Sequence, residues 1–380
     1  MRKRILISPN SFKECADSVT IAELIKNNLS YLRDTELIVK PITDGGDGFL
    51  SVCKFHFGRE LRTYSISTAY DNSTFDCPIL YCENRKEIYI ESAEVLGLKV
   101  VSLTNRNPLK LTSKGLGQLL KKIEQDVQLN RIKVHKTFIG IGGTATIDMG
   151  VGMMSELGLN LLDSTNAELG LLPENFPAVQ TIEYKRFNFS FEVIPVVDVT
   201  NPLVGDRGGV KVFGRQKGAE GKAISILENS FNHLLKLFEN NRLQFSHKEL
   251  SGAGGGLPAA FQIFYTKPLL YSSEFIQYNL EFTKYSDSDS VDYLITGEGA
   301  YDHQSGLGKG VGVLIDLFNS HVNQIFLICG KISNNSITSL PKNVVPIELM
   351  NYFENEPESI KKYKAGIEKA CQEIVKNLNF

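Results

Sequence analysis

A glycine-rich segment, residues 140–148, is the feature that most constrains what this chain can fold into. It follows an apolar run, Thr137–Ile139, and leads into a helical pattern over Thr146–Leu157. A strand, a glycine turn and a helix in this order are typical of α/β proteins. Small residues let backbone N–H groups approach an anion closely, and a helix start adds its positive dipole end. The segment therefore predicts a phosphate-binding turn.

Glycine pairs after strands also serve packing alone, so the prediction needs further support. Two more glycine-rich segments, Gly252–Leu257 and Leu294–Asp302, lie far along the chain. We expect several such loops to meet in one cleft and form a binding site.

The two ends of the chain alternate between buried strands and amphipathic helices, whereas the middle has a different texture. Short alternating runs separated by turns, over residues 61–90, predict an antiparallel meander. The predicted fold class is therefore α/β with two domains. Residues 1–65 and 287–380 form a Rossmann-like parallel-sheet domain, and residues 66–286 form an inserted mixed α/β domain. We expect the active site in the cleft between them.

The composition narrows the class of partner. The 380 residues carry a net charge of −2, which provides no basic field for a nucleic acid. No window is apolar for long enough to cross a bilayer, and the basic start is too short in apolar sequence for a signal peptide. The six cysteines show no Cys-x-x-Cys spacing. We expect a cytoplasmic protein, a monomer or a homodimer, with reduced cysteines and a small-molecule ligand.

Polar residues follow both of the first two predicted strands. Ser11 and Lys13 come just after the first, where open α/β sheets bind ligands, and they could hold a carboxylate or a phosphate. Asp44 and Asp47 lie on a glycine turn after the second, and they could accept hydrogen bonds from hydroxyls or from the water shell of a metal. A helix-capping role is the alternative, and it suits Asp47 better than Asp44.

Two segments in the middle of the chain add further candidates. Asp198 and Asn201 follow the predicted strand Phe191–Val197, and this pair could share a magnesium ion or a substrate hydroxyl. Arg215 and Lys217 lie in a glycine-rich stretch and could face phosphates, although either residue alone is typical of an ordinary surface loop.

The loop after the strand Tyr293–Thr296 is dense in polar groups framed by glycines. The candidates in it are Glu298, Asp302, Gln304 and Lys309. His303 is interpreted as a surface neighbour, because no other histidine stands at metal-ligand spacing from it.

These segments, taken in order, resemble the glycerate kinase family of the glycerate 2-kinase type. The resemblance runs over nearly the whole chain. The matching motifs are Asn10-Ser11-Phe12-Lys13, Asp44-Gly45-Gly46-Asp47-Gly48, Glu91 with Gly97-Leu98, Thr112-Ser113-x-Gly115-x-Gly117, Gly140-x-Gly142-Gly143-Thr144-Ala145-Thr146-x-Asp148, Asp198 to Leu203, Phe213 to Ala219, and Thr296-Gly297-Glu298-Gly299 through Lys309.

The resemblance implies an ATP-dependent kinase that phosphorylates D-glycerate at the 2-hydroxyl with Mg²⁺. Such chemistry needs positioning and charge stabilisation rather than a covalent nucleophile. By this resemblance we expect the following roles: Gly142, Gly143, Thr144, Ala145 and Lys217 for the nucleotide phosphates; Ser11, Lys13, Asp47, Asp302 and Gln304 for the acid; Asp198, Asp44 and Lys309 for catalysis; and Asp198 and Glu298 for the metal.

The chain also departs from the family pattern. Ile147, Met149 and Ala300 replace a usual Asn, Gly and Arg, the glycine cluster at Gly252–Leu257 is shorter, and a proline after Lys309 is missing. These departures keep two alternatives open, a kinase for another small hydroxy or sugar acid and a non-catalytic sensor of a phosphorylated acid or nucleotide. A dehydrogenase ranks lower, because no strand is followed by Gly-x-Gly-x-x-Gly and an acidic residue about 20 positions later.

Overall fold

The computed structural model describes residues 2–378 except 59, 72, 287–289, 303–304 and 306–309. The strands in chain order are β1 (Lys3–Pro9), β2 (Thr35–Val39), β3 (Glu60–Ser67), β4 (Thr74–Cys82), β5 (Glu87–Glu91), β6 (Lys136–Ile141), β7 (Leu159–Leu162), β8 (Thr181–Tyr184), β9 (Glu192–Val197), β10 (Leu270–Tyr271), β11 (Tyr293–Tyr301), β12 (Gln324–Ile332) and β13 (Val344–Glu348). The α-helices are α1 (Ser18–Leu29), α2 (Phe49–Phe57), α3 (Ser92–Leu96), α4 (Lys114–Gln128), α5 (Val151–Glu156), α6 (Gly209–Phe213), α7 (Lys222–Asn240), α8 (Leu257–Tyr265), α9 (Ser272–Glu274), α10 (Gly310–Phe318), α11 (Asn334–Ile337), α12 (Glu356–Lys361) and α13 (Tyr363–Asn377).

The chain divides into two compact units. Unit 1 comprises Met1–Asp44, Ser51–Phe57 and Tyr271–Phe380, and unit 2 comprises Gly45–Leu50 and Gly58–Leu270. The units differ from the predicted segments in three places: Gly45–Leu50 and the segment from Gly58 to residue 65 belong to unit 2, and residues 271–286 belong to unit 1. β3 pairs with β4 in unit 2, and the helical turns of residues 271–286 belong to unit 1, where Phe282 packs against His56.

Unit 1 contains a parallel sheet in the order β13-β12-β11-β1-β2. β1 is buried from Ile5 to Pro9, as expected for a central strand covered on both faces. The predicted parallel sheet formed by the two ends of the chain is confirmed.

The helices of unit 1 pack on this sheet through apolar stripes. In α1, Ile21, Ile25 and Leu29 recur at helical spacing and are fully buried. The Asp17 side chain caps the start of α1 by accepting a 2.7 Å hydrogen bond from Thr20 N. Ile21 and Ile25 share one core cluster with Ile5 and Ile7 of β1, so the apolar stripe of α1 fixes the helix on the sheet.

Unit 2 contains a mixed sheet in the order β10-β9-β6-β5-β4-β3, and β7 pairs with β8 separately. β3, β4 and β5 form the predicted antiparallel meander, whereas β5, β6 and β9 are parallel. The parallel strands bring their carboxyl ends to one edge of the sheet.

Membrane-spanning helices are not found in the described part of the chain, where no helix is both long enough and apolar enough to cross a bilayer.

Candidate functional site

The sheet of unit 1 has a point where the direction of chain progression reverses. From β1 the chain moves to β2 on one side, and from β11 it moves to β12 and β13 on the other. β1 and β11 lie side by side, with Pro9 paired to Gly297. Open α/β sheets bind ligands outside the carboxyl ends of strands at such a switch point. The segments after Pro9 and after Gly297 therefore form the candidate site of unit 1.

Asn10 joins the predicted residues of this switch point. Its N–H donates to Gly297 O at 2.8 Å, and its Nδ2 donates to Asp44 Oδ2 at 2.5 Å. Its Oδ1 accepts a 2.8 Å bond from Ser11 N. Asn10 was not predicted from the sequence to be a site residue. The sequence feature that could have identified it is its position directly after a buried strand.

Asp44 also lies against the start of α10. A Cβ atom at Gly310 would overlap Asp44 Oδ1, and Gly310 has a φ of +27°, so a side chain cannot be added there without moving the carboxylate. Ser11 is half-buried and Lys13 is exposed. Unit 1 thus brings Ser11, Lys13 and Asp44 to the same strand ends, as the sequence predicts.

Glu298 is the most perturbed acid of the switch point. Burial raises its pKa to about 8, with further upward contributions from the charges of Asp44 and Asp302. A hydrogen bond with Ser305 and the charge of Lys13 act in the opposite direction. Its Oε1 is buried, and among the described residues it has no hydrogen-bond partner.

Asp302 is held in its loop by Ser305. Asp302 N donates to Ser305 Oγ at 3.3 Å, and Ser305 N donates to Asp302 Oδ1 at 3.1 Å. Two other predicted residues of the same loop, Gln304 and Lys309, lie outside the described residues, as does His303.

The carboxylates of unit 1 fit a hard divalent cation. Over the part of the chain that the structure describes, no cluster of three or more His, Cys, Asp or Glu side chains is spaced to hold a metal. Mg²⁺, however, is often held by one or two carboxylates together with waters and substrate phosphates. A cation would give the buried Glu298 Oε1 a partner, and it would reduce the repulsion between Glu298 and Asp44.

The candidate site of unit 2 is built on the ends of its parallel strands. Ile141 of β6 pairs with Val197 of β9, so Gly142 and Asp198 follow adjacent strand ends. Ser92 follows β5, which neighbours β6 on the other side. Asp198 is partly exposed at this edge. The predicted phosphate turn and the predicted catalytic acid Asp198 therefore share one edge of the sheet.

The structure corrects one part of the predicted turn. The helix after the turn begins at Val151 and not at Thr146, so its first amides are remote in sequence from Gly142–Ala145. Thr146 and Ile147 are instead buried in irregular chain, because the segment packs into the core of unit 2 before it can turn into a helix. The turn presents peptide N–H groups but not the dipole of a helix.

Neighbouring segments hold the turn by hydrogen bonds. Ser92 Oγ bonds both the carbonyl and the N–H of Gly142, at 3.1 and 3.2 Å. Leu98 N donates to Gly143 O at 3.0 Å. Among the described residues, no oxygen accepts a hydrogen bond from the N–H of Gly143 or of Thr144. Gly143 is exposed, so its N–H group is open to an anion, whereas Thr144 is 1% exposed.

The second glycine segment packs directly under the first. Gly255 O accepts a 3.0 Å bond from Met149 N, and a Cβ atom at Gly255 would overlap Thr146 O. These two glycine-rich segments therefore contact each other within unit 2, and that the glycine-rich loops form one binding cleft stays a prediction. The third segment, Leu294–Asp302, belongs to unit 1.

Lys217 lies beneath the turn. It is 4% exposed, and its Nζ donates to Thr144 Oγ1 at 2.9 Å and to Thr146 O at 3.1 Å. Burial lowers its pKa to about 7, although the charge of Asp148 acts to raise it. Both contacts are with the turn itself, so Lys217 stabilises the turn from inside the protein.

Two buried acids that the sequence analysis did not name as site residues position the loops of unit 2. Asp148 accepts bonds from Ser113 N and Oγ, both at 2.7 Å, and from the N–H groups of Gly150 and Gly152 at 3.1 Å. Burial nevertheless raises its pKa. The signal for Asp148 was its place in the glycine motif.

Glu91 is the second of these acids. It accepts bonds from Gly48 N at 3.0 Å and Leu50 N at 2.9 Å, and burial raises its pKa. It thereby holds the loop that carries Asp47. Asp47 itself lies against Gly143, because a Cβ atom on Gly143 would be 2.6 Å from Asp47 Oδ1.

Two of the departures from the family pattern lie in the core of unit 2. Ile147 and Met149 are each 1% exposed and belong to its apolar cluster. Met149 has a φ of +55°, in the left-handed region that favours glycine. Ala300 is exposed at the end of β11.

Comparisons with known proteins agree over almost the whole chain. The sequence profile of the glycerate kinase family matches residues 5–379. A protein named glycerate 2-kinase from Escherichia coli (strain K12) is 31% identical over 313 residues, which cover 80% of this chain and 79% of that protein. A protein named glycerate kinase from Neisseria meningitidis serogroup B is 26% identical and covers 99% of both chains. A crystal structure assigned as a glycerate kinase 2 from Salmonella typhimurium LT2 has a similar fold, with a TM-score of 0.77, 24% identity and 99% coverage of both chains.

Proposed function

Since this chain belongs to the glycerate kinase family, we propose that it transfers the γ-phosphoryl group of ATP to the 2-hydroxyl of D-glycerate with Mg²⁺. The oxygen of the hydroxyl forms a bond to the γ-phosphorus, the bond between that phosphorus and the bridging oxygen of ADP breaks, and the hydroxyl proton is released. The products are 2-phosphoglycerate and ADP.

The observation that carries this proposal is the group of charges at the switch point of unit 1. Asp44 and Glu298 interact with each other there, and Lys13 carries the opposite charge. A hydroxy acid has one carboxylate and at least one hydroxyl, which require a cation and a hydrogen-bond acceptor. Ser11 and Lys13 would bind the carboxylate, and Asp44 would accept a hydrogen bond from the hydroxyl.

Of the remaining predicted roles, some can be assigned to residues of unit 2, and the others stay predictions. In unit 2 the N–H group of Gly143, which no oxygen of the described residues accepts, would bind nucleotide phosphates, with Gly142, Thr144 and Ala145 shaping the turn. Asp198 would orient the hydroxyl or hold the metal. The proposed contacts of Asp47, Asp302, Gln304 and Lys309 stay predictions, and so does the cleft between the two predicted domains.

Mg²⁺ would neutralise charge on the transferred phosphoryl group when it is bound. Glu298 would be a ligand, because its buried Oε1 accepts no hydrogen bond from the described residues. Phosphoryl transfer passes through a loose transition state, so Asp44 or Asp198 needs only to orient the hydroxyl and to receive its proton late in the reaction.

The sensor alternative loses part of its basis. It relied on the departures at Ile147, Met149 and Ala300, and the first two side chains are buried in the core of unit 2. A kinase for a related hydroxy acid stays open, since Ala300 is exposed at the end of β11, where the family usually has an arginine.

The experiment is to incubate the protein with Mg-ATP and a panel of hydroxy acids, to follow ADP release, and to identify the product by phosphorus NMR. We expect ADP with D-glycerate and a product phosphorylated at the 2-hydroxyl. Turnover of another acid alone would overturn the substrate, and no ADP with any acid would overturn the kinase.

Variants then test the assigned roles. Lys13→Ala is expected to raise the KM for D-glycerate roughly tenfold or more, because a hydrogen bond to a charged group contributes about 1.5–3 kcal/mol. Asp198→Asn is expected to lower kcat. Lys26→Ala, a substitution on α1 that removes an exposed ion pair with Glu23, is the matched control and should leave both constants unchanged.

A further inference from the structure

Lys99 lies next to the phosphate turn in unit 2. Gly97 and Thr144 form an isolated β-bridge, and Leu98 N donates to Gly143 O at 3.0 Å. Lys99 is the next residue along the chain. The backbone of the Gly97–Lys99 segment is therefore attached to the turn Gly142–Ala145, whose Gly143 N–H has no acceptor among the described residues.

The side chain of Lys99 is directed to the same place. Its Nζ is 3.8 Å from Asp47 Oδ1, and this same oxygen lies against Gly143. The carboxylate of Asp47 thus lies next to both the ammonium group of Lys99 and the backbone of Gly143. No other ion pair that the structure shows among the described residues involves Asp47 or Lys99.

The pair of Lys99 and Asp47 is loose and accessible. The side chains are 70% and 52% exposed, and a 3.8 Å separation between exposed groups contributes little stability. An ion pair of this kind is readily exchanged for a stronger partner. A nucleotide polyphosphate carries several negative charges and would be such a partner.

Lys217 cannot serve as this cation while the turn is intact. It is buried, and its hydrogen bonds go to Thr144 and Thr146 inside the turn. A polyphosphate lying on the outer face of the turn, beside the carboxylate of Asp47, needs a positive charge on that face.

We propose that Lys99 is the cation that binds the nucleotide phosphates on the turn Gly142–Ala145, leaving Asp47 when the nucleotide arrives. This inference rests on the proposed function, because it assumes that the turn binds a nucleotide. It assigns to Lys99 the contact that the sequence analysis assigned to Lys217.

The test measures nucleotide binding directly. Calorimetric titrations with ADP and with adenosine are made on the wild-type protein, Lys99→Ala, Lys99→Arg and the control Lys236→Ala. Lys236 is an exposed lysine of α7 in the same unit. Adenosine lacks phosphates and reports whether the rest of the nucleotide site is intact.

Lys99→Ala is expected to weaken ADP binding roughly tenfold or more, the loss of about 1.4 kcal/mol or more that a charged contact provides. Adenosine binding should not change. Lys99→Arg should restore most of the affinity, and Lys236→Ala should bind like the wild type. The ratio of the ADP affinities of the wild type and of Lys99→Ala should decrease as the salt concentration increases, because exposed charges are screened.

The outcomes separate the inference from the function on which it rests. If the wild-type protein binds ADP and Lys99→Ala binds it equally well, the role of Lys99 is overturned and the proposed function stands. If Lys99→Ala loses adenosine as well, the residue acts on structure and the inference is overturned. If the wild type binds no nucleotide and releases no ADP from ATP, both fall together.

Discussion

Lys217 shows how a residue type can suggest one role and its surroundings impose another. A lysine in a glycine-rich loop suggests phosphate binding. Lys217, however, is buried beneath the turn and bonded to it. Only burial and the two acceptors distinguish it from the exposed Lys99, and neither can be read from the neighbouring residues in sequence.

The pKa of Lys217 leads to a prediction on stability. Burial lowers the pKa from 10.5 to about 7 in the folded protein. Between these pH values the unfolded chain binds more protons, so the contribution of Lys217 to the free energy of unfolding rises with pH. We therefore expect the free energy of unfolding of the wild type to increase relative to that of Lys217→Met as pH rises from about 7 to about 9. The upper limit is about 1.4 kcal/mol per pH unit.

The measurement is urea unfolding at the two pH values. Lys236→Met, in which an exposed lysine is replaced, should show no such trend. A wild-type advantage over Lys217→Met that is the same at both pH values would show that Lys217 is charged in the folded state throughout.

The pKa of Glu298 leads to the opposite prediction, that its contribution to the free energy of unfolding falls as pH rises. Its pKa is raised from 4.5 to about 8 in the folded protein, so above pH 4.5 the unfolded chain loses this proton first. The folded state is then progressively penalised as pH rises to about 8. We expect Glu298→Gln to be more stable than the wild type near pH 8.5, by a few kcal/mol at most, and to have a smaller advantage near pH 5.

Thermal unfolding at both pH values checks this prediction, with Glu23→Gln as an exposed control. Added Mg²⁺ provides a second readout, because a metal ligand must be deprotonated. Mg²⁺ should stabilise the wild type and not Glu298→Gln. Equal stabilisation of both proteins would remove Glu298 from the set of metal ligands.

At the scale of elements, close contacts between backbones fix the positions of two loops of unit 2. Gly142 and Gly46 lie so close that a Cβ atom on Gly142 would be 2.5 Å from the Cα atom of Gly46. Neither backbone can move away easily, because Ser92 holds Gly142 and Glu91 holds Gly48. Glycine is required here for close approach, and not for an unusual φ.

We expect Gly142→Ala to lower the free energy of unfolding by about 1–3 kcal/mol, the cost of forcing extra volume into a packed site. The turn should move with it, so affinity for ADP should also fall. Gly46→Ala is the matched control, since its Cβ atom would meet Gly142 Cα at an ordinary 3.7 Å.

Urea unfolding and calorimetric titration with ADP measure both effects. If Gly142→Ala and Gly46→Ala are equally stable, the close approach of the two loops is not a determinant of stability.

At the scale of the whole molecule, the two units have separate cores and separate candidate half-sites. The core of unit 1 joins its parallel sheet to α1 and α13, and the core of unit 2 joins its mixed sheet to α4 and α7. Unit 1 carries Ser11, Lys13 and Asp302, which are proposed for the acid. Unit 2 carries Asp47, which is also proposed for the acid, and the turn proposed for the nucleotide.

We expect hydrogen exchange followed by mass spectrometry to separate these roles. ADP should protect peptides that cover residues 140–149 and 252–257, whereas D-glycerate should protect peptides that cover residues 10–14 and 294–302. Peptides of α13 should not change with either ligand. Protection of the acid-binding peptides by ADP alone would reverse the assignment of the two units.

Much of the fold follows from local patterns in the sequence. Runs of apolar residues such as Ile5–Ile7 and Thr137–Ile139 correctly predict buried strands, because a strand covered on both faces must be apolar throughout. The alternation at residues 61–90 predicts the meander for a different reason, because a strand with one face on the core and the other toward solvent alternates between apolar and polar residues. The position of Ser11 and Asp44 after strands also predicts that unit 1 gathers them at one sheet edge. Glu298 was expected in a loop after Thr296, but it lies inside β11, which continues to Tyr301 because it pairs with β12 over its whole length.

The boundary of α5 and the roles of the buried residues were decided by tertiary structure. The helical pattern starts at Thr146, but packing of Thr146 and Ile147 into the core delays the helix to Val151. Asn10, Glu91 and Asp148 are bonded to partners far along the chain, such as Asp44, Gly48 and Ser113. Such partners depend on how the strands are ordered.

The sequence by itself determined the family, the α/β fold class and the polar segments near the ends of the strands. The reason is that strand-length apolar runs and short motifs are local properties. Only the tertiary structure decided which lysine is buried under the phosphate turn and which is exposed beside it, and that the pKa of Glu298 is raised. Burial and hydrogen bonding depend on residues that are distant in sequence, and their effects on charge exist only once the chain has folded.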